Sequence, residues 1–277
     1  MVYIAPARHC SATRIHLPLL DLVQPFSTDK FNRLGRLNRI IQCHGINEGE
    51  QVARIEQVID HLTNVFVKHG MHDLLGVSLV HNHFQLNDGE IVQTAIKPIR
   101  TNSNISACMG EGLMEAATNK HAFYTETVSS ASSSSIAIPY MWAYDKEAKQ
   151  HFPMQYFDGT NVQMQQRLAE LGGRVNFPSF LHEYQKELEK YGLESDLGFF
   201  LHYQNLVESD QENQVFYEIT NNQSRQQVLF VTPKDGVNEL MKNLGHGCVR
   251  NTHWTIQQKP DGTIDKVVGG CICGIDC

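Results

Sequence analysis

With 277 residues, 41% of them hydrophobic and 19% charged, the chain has the make-up of an ordinary globular protein and is long enough to bury a sizeable core. A net charge of −7 and the absence of any Lys/Arg run argue against a nucleic-acid partner, because phosphate contacts need clustered cations. No apolar run reaches membrane-spanning length, and the Met-Val-Tyr-Ile start has no charged segment ahead of an apolar one; both predict no membrane partner and a soluble, cytoplasmic protein, in which seven cysteines read as ligands or free thiols rather than a disulfide framework.

Residues 1–26 are punctuated by Pro6, Pro18 and Pro25 and read as strand and loop. After the cap signals Ser27-Thr28-Asp29, the spacing of Phe31, Leu34, Leu37, Ile40 and Ile41 predicts a helix closed by Gly45, with Cys43 and His44 in its last turn. Asn47 and Glu50 suggest a capping box for the next helix, whose inner stripe is Val52, Ile55, Ile59, Leu62 and Phe66 and whose stop is Gly70.

The run Leu75-Gly76-Val77-Ser78-Leu79-Val80-His81-Asn82-His83-Phe84 then reads as an apolar strand ending in a His-x-His pair. On a strand, His81 and His83 share one face with Val77 and Leu79, which is an economical way to fix two imidazole ligands for Zn, Fe or Cu. Glu90, beyond the turn signal Asn87-Asp88-Gly89, falls early on a return strand (90–96), where it would serve as a third ligand or as a general base. The order His-x-His…Glu suggests a cupin motif, but its spacing is too long.

Further along, Thr101–Asn104 reads as loop and Gly110–Thr118 as a short helix, with Cys108 ahead of its first turn, where a helix N-terminus lowers a thiol pKa. The serine-rich run 129–135 is a connector or lid. Strands are predicted over 136–144 and 152–157, a helix over 161–171, and a second helix from Pro178 with Phe180, Leu181, Tyr184, Leu188 and Tyr191 inward. Strands at 197–203, 214–220 and 227–232 and a short helix at 236–244 follow.

An offset of 122 residues lays the segment around Gly70 on that around Gly192 without a gap: Ile59 on Leu181, Phe66 on Leu188, Leu75 on Leu197, Gly76 on Gly198 and Leu79 on Leu201. Tyr203 then stands opposite His81, Asn205 opposite His83 and Glu212 opposite Glu90. In the tail, the turn Pro260-Asp261-Gly262, with 259 facing 262, would pair Cys248 with Cys273 and Arg250 with Cys271. His246, Cys248, Cys271 and Cys273 would share one face as a tetrahedral zinc set, while His253 points to the other.

These features resemble a family of poorly characterised filamentous-fungal proteins with a His-x-His-Phe strand after a Gly-terminated helix, an early Glu on the next strand and a Cys/His-rich C-terminus. The matching residues are His81, His83, Phe84, Glu90, Cys248, Cys271, Cys273 and Cys277, and the resemblance covers most of residues 48–277. It implies a site but no substrate.

The sequence therefore predicts a single α+β domain over 1–277, with related helix–β-hairpin halves at about 48–160 and 161–277, a mainly antiparallel sheet and a C-terminal Cys-rich hairpin. The predicted function is a metal-dependent enzyme acting on a small-molecule substrate, its transition metal on His81 and His83. The alternative is a non-catalytic metal- or ligand-binding protein with a structural zinc site in the tail. Neither the reaction nor the oligomeric state follows from the residues.

Overall fold

The computed structural model describes residues 25–35, 48–98, 121–129, 137–203, 206, 214–221, 224–233, 248–259 and 261–273. Helix α1 spans Thr28–Arg33, α2 Glu48–Lys68, α3 Val162–Gly173 and α4 Phe177–Tyr191. Strands β1 Leu75–Leu79, β2 Glu90–Pro98, β3 His121–Ser129, β4 Ile138–Asp145 and β5 Gln150–Phe157 come from the first half of the chain. Strands β6 Leu197–Leu201, β7 Gln214–Asn221, β8 Gln226–Pro233, β9 Cys248–Gln258 and β10 Ile264–Cys273 come from the second.

The ten strands close into one barrel in the order β1-β6-β4-β5-β2-β3-β8-β7-β10-β9, and β9 returns to β1. All neighbours are antiparallel except β2·β5 and β7·β10. The class is therefore α+β with a mostly antiparallel sheet, as the composition and periodicity suggested.

Two helix–glycine–strand units meet through their helices and through the β1·β6 pair. The stripe Ile55, Val58, Ile59, Leu62 and Phe66 of α2 is buried, and so is Phe177, Phe180, Leu181, Tyr184 and Leu188 of α4. Phe66 packs edge-on against Phe180 at 4.9 Å and Tyr184 at 5.8 Å. Both helices stop at a glycine in the left-handed region, Gly70 (φ +64°) and Gly192 (φ +67°), where a side chain would be strained. An arginine from the other unit closes each end: Arg174 Nη1 donates to Gly70 O at 2.9 Å, and Arg54 Nη2 donates to Tyr191 O.

Strand β1 pairs with β6 so that Val77 faces Phe199, with Leu75 against Leu201 and Leu79 against Leu197. The flanking bonds follow the same reciprocity, Val80 N to Asp196 O and His202 N to Leu74 O. Trp142 of β4 pairs with Phe199 as Trp254 of β9 pairs with Val77. The approach is close. A Cβ at Gly76 would lie 2.7 Å from Trp254 O, and one at Gly198 would lie 2.1 Å from Trp142 O.

Aromatic rings fill the lumen between the strands. Tyr203 stacks edge-on against Phe123 at 5.1 Å, Tyr140 at 5.2 Å and Phe200 at 5.7 Å. A chain of hydroxyls runs beneath them: Thr125 to Thr94 (2.8 Å), Thr94 to Tyr140 (3.0 Å), and Tyr140 donating to Gln155 Oε1 (2.6 Å). Such a chain leaves none of these buried hydroxyls unpaired.

Several local expectations are corrected. The helix begun by Ser27, whose side chain accepts from Lys30 N at 3.4 Å, ends at Arg33. Val52 is 40% exposed and does not belong to the α2 stripe. β3 had no counterpart in the sequence reading. β1 stops at Leu79, short of the imidazoles. At the tail turn Lys259 N bonds Thr263 O, so 259 faces 263 rather than 262, and a bulge at Gly269/Gly270 then shifts the register by one. Cys273 is thus the Cα partner of Cys248, and Cys271 of Arg250. Cys43, His44, Cys108, the proposed helices at 110–118 and 236–244 and the run 130–135 lie outside the described residues.

The glycine contacts generate a stability prediction. Gly198→Ala drives a methyl into a backbone carbonyl and should cost about 3 kcal/mol or more, whereas Gly173→Ala, with nothing within 4 Å, should be neutral or stabilising. Urea midpoints of the two variants check this. Equal midpoints would mean that β4 and β6 are not so closely apposed.

Candidate metal centre

His81 and His83 sit in the connection from β1 to β2, just past the last strand residue, Leu79. Hydrogen bonds to the α1 segment hold that connection. Asn82 N donates to Gly35 O and Asn82 Nδ2 to Phe31 O, both at 3.1 Å. Leu86 N donates to Asn32 Oδ1 at 2.8 Å, and Asn32 Nδ2 donates to Leu86 O at 2.9 Å. With Asn82 pinned, its two neighbours turn their rings to the same side, 4.6 Å apart between centroids and inclined at 69°.

The hydrogen bonds assign the nitrogen roles. His81 Nδ1 lies 2.8 Å from Leu79 O, an obligate acceptor, so Nδ1 carries the proton and Nε2 keeps its lone pair. His81 Nε2 is buried and has no hydrogen-bond partner among the described residues. His83 Nε2 lies 2.6 Å from Glu218 Oε1, and its Nδ1 lies 3.0 Å from Thr220 Oγ1. The Thr220 hydroxyl accepts from Nδ1 or donates to it, so it supports His83 whichever ring nitrogen is protonated.

Glu218 comes from the middle of β7, where its Cα neighbours are Leu229 and Cys271. Its carboxylate and the two imidazoles form a group whose ligand atoms all lie within 4.8 Å of one another, an arrangement that can hold a metal ion. Among the described residues the donors are two imidazole nitrogens and one carboxylate oxygen, a three-ligand set of the kind that leaves coordination positions open.

Electrostatics keep His81 and Glu218 in their ligand forms. Burial lowers His81 to about 3, with the charge of His83 adding to the effect. Burial likewise brings His253 of β9 to about 4, against the pull of Glu218. For Glu218, burial is the largest influence and opposes ionisation, but the charge and hydrogen bond of His83, with the fields of His81 and His253, outweigh it and hold the carboxyl at about 2. At neutral pH, His81 and His253 are therefore neutral and Glu218 is ionised. His253 is 5% exposed, its Nδ1 is 3.0 Å from Thr252 Oγ1, and its ring packs on Phe200 at 5.3 Å.

The remaining sequence candidates are placed elsewhere. Glu90 is held by Arg225, whose Nη1 reaches Oε1 at 3.1 Å and whose Nη2 reaches Oε2 at 2.5 Å, and by Asn87 N at 2.8 Å. Its carboxyl is lowered to about 2, chiefly by the Arg225 hydrogen bonds. The oxygen donor brought to the imidazoles is Glu218. His246 and the side chains of Cys248, Cys271 and Cys273 lie outside the described residues, so the zinc set expected there has no structural description.

Glu218 and His253 were missed as site residues. The signal for Glu218 was a carboxylate inside the apolar run Val215-Phe216-Tyr217-Glu218-Ile219, where an ionised group needs a partner. For His253 the signal was an imidazole beside Trp254 in the run Thr252-His253-Trp254-Thr255-Ile256, which the structure buries. No family model matches the chain, and no curated protein or solved structure shows significant similarity to it.

The neutral buried imidazoles predict acid sensitivity. Burial lowers His81 and His151 to about 3 and His202 and His253 to about 4, all below the unfolded value of 6.5. The unfolded chain therefore takes up protons first, so stability is fully present above pH 6.5 and is lost as pH falls toward 4. At pH 5 each such imidazole should cost about 2 kcal/mol. Melting temperatures of metal-free protein from pH 7.5 to 4.5 should fall steeply. His151→Phe, remote from the cluster, should shallow the slope. A flat profile between pH 7 and 5 would contradict the burial of these rings.

Proposed function

We propose that the protein is a metal-dependent enzyme acting on a small molecule, with a transition ion held by His81, His83 and Glu218. The observation that carries this reading is the His81 Nε2 lone pair, buried without a partner among the described residues, beside a second imidazole and an ionised carboxylate. An unsatisfied buried acceptor costs roughly 1–3 kcal/mol, and an ion on that lone pair removes the deficit. Zinc, iron and copper all accept this donor set. Three protein ligands leave room for a water or a substrate oxygen, whose polarisation is the chemistry such an ion supplies.

We further infer that the two halves descend from a duplicated unit. Exchanging β1 with β6, β2 with β7, β3 with β8, β4 with β9 and β5 with β10 reproduces the barrel order read in the opposite direction. Both parallel pairs correspond under that exchange. The bulges correspond too: the register steps over Tyr140 on β4 and Thr252 on β9, each two residues before a tryptophan. An experimental structure in which these segments failed to superpose would remove the inference.

Metal analysis tests the functional reading. Purified protein reconstituted with zinc, iron or copper should hold one ion per chain. His81→Ala and Glu218→Gln should lose it, and both should retain the wild-type far-ultraviolet circular dichroism. In cobalt-substituted protein, azide should shift the visible absorption, because an open position accepts it. A wild-type chain that binds none of the three ions overturns the site. A cobalt spectrum indifferent to azide leaves a closed site and overturns catalysis.

A further inference from the structure

The metal donors arrive from two distant stretches of chain. His81 and His83 lie in a non-strand connection, whereas Glu218 lies on β7. Glu90 and Arg225 stand at the corresponding boundaries: Glu90 opens β2 where that connection ends, and Arg225 closes the β7–β8 turn one residue before β8. Their side chains join the two. Arg225 makes the forked contact to Glu90, donates through Nη2 to Gln85 O at 2.7 Å, and lies 5.7 Å over the Phe84 ring. Three anchors on one guanidinium thus fall on residues 84, 85 and 90, immediately after the His-x-His pair.

Arg225 adopts φ +52°, a left-handed conformation that costs a non-glycine residue free energy and persists only where surrounding contacts impose it. At Arg225 that conformation belongs to the turn joining β7 to β8, and the three anchors hold its side chain. Asn87 completes the arrangement by donating to Glu90 from both N and Nδ2, which fixes the carboxylate towards the guanidinium.

Without an ion, the segments also meet directly, through His83 Nε2 and Glu218 Oε1 at 2.6 Å. That contact uses a proton on the nitrogen an ion needs. Loading the site would therefore replace the direct contact, leaving the His83–Thr220 bond and the Glu90–Arg225 pair to hold the connection against the β7–β8 hairpin. We propose that the Glu90–Arg225 pair is a clasp that positions His81 and His83 over Glu218 and sets how tightly the ion is held. The proposal rests on the metal reading above and deepens it. Glu90 and Arg225 are positioning residues, and neither is a ligand.

Partners outside the ligand set typically change metal affinity by about 10- to 100-fold when removed. Zinc affinity and zinc release rate, measured by competition with a chromogenic chelator, should show Glu90→Gln and Arg225→Gln each weakening binding by roughly that factor, mainly through faster release. The exchanged double variant Glu90→Arg/Arg225→Glu should recover part of the loss. Lys97→Gln, which breaks the Lys97–Glu126 pair (2.7 Å) between β2 and β3 away from the connection, should bind as the wild type does. The metal-free melting temperatures of Glu90→Gln and Lys97→Gln should be alike, which separates positioning from general stability. If wild-type protein binds zinc and Glu90→Gln and Arg225→Gln bind and release it equally well, the clasp is overturned while the site stands. Weakening by Lys97→Gln to the same extent also overturns it. Failure of the wild type to bind any of the three ions would instead remove the site itself.

Discussion

The close antiparallel pairing of β1 with β6 is the constraint on which the rest depends. Gly76 and Gly198 let these strands lie against the backbones of β9 and β4, with carbonyl oxygens where side chains would stand. On one side, Phe199 supports α4, meeting Phe177, Phe180 and Tyr184 within 6.4 Å. On the other, Phe200 turns inward to Tyr203 and His253. Tyr184 donates to Gly198 O at 2.8 Å, tying the helix layer to the same glycine. Because β1 is short and fixed at its centre, the chain leaves the sheet at a defined point. The imidazoles begin there.

What was legible in the sequence was local. Helical stripes, glycine stops and apolar strands obey periodicities of a few residues, and α2, α4, β1 and β6 emerged from them. The site was half legible for the same reason: His81 and His83 are two residues apart, while their carboxylate partner is set by tertiary pairing. Thr220, which supports His83, is 137 residues away in sequence. Nothing near Glu90 distinguished it from Glu218 as the oxygen donor. The difference is that Arg225, also distant, had already engaged it. The tail turn shows the opposite case. An error of one residue at the turn was cancelled by a bulge, since glycines at 269 and 270 let the ladder step.

The charge balance explains why an ion suits this cluster. Glu218 is an ionised carboxylate in a largely dehydrated place, with His83 as its closest partner and two neutral imidazoles beyond. Such a pair is costly to bury and is weak evidence of stability by itself. A divalent ion in the same place would meet one carboxylate and two lone pairs, and would displace the proton between His83 and Glu218. Thr220 can then accept from His83 Nδ1, so the ring stays oriented in both states. Affinity must in consequence weaken as pH falls, since each ligand has to be free of its proton.

The paired registers argue that this cluster is not simply what the barrel requires. Trp142 and Trp254 occupy matching ladder positions, so Met141 corresponds to His253, and by the offset of β1 and β6 Tyr203 corresponds to His81. The parallel pairs Thr94–Phe157 and Glu218–Cys271 extend the match: Phe157 faces Ile138 and Cys271 faces Arg250, each four residues before its tryptophan. Thr94 therefore corresponds to Glu218. One frame thus carries Tyr203, Thr94 and Met141 on one side and His81, Glu218 and His253 on the other. The first set closes on itself through ring contacts and the chain of hydroxyls. The second retains a buried nitrogen with no partner among the described residues and a carboxylate ionised against its own burial. A backbone that packs well with threonine, methionine and tyrosine at these positions has no folding need for acid and imidazole. Their presence on one side alone is what a ligand for them would explain.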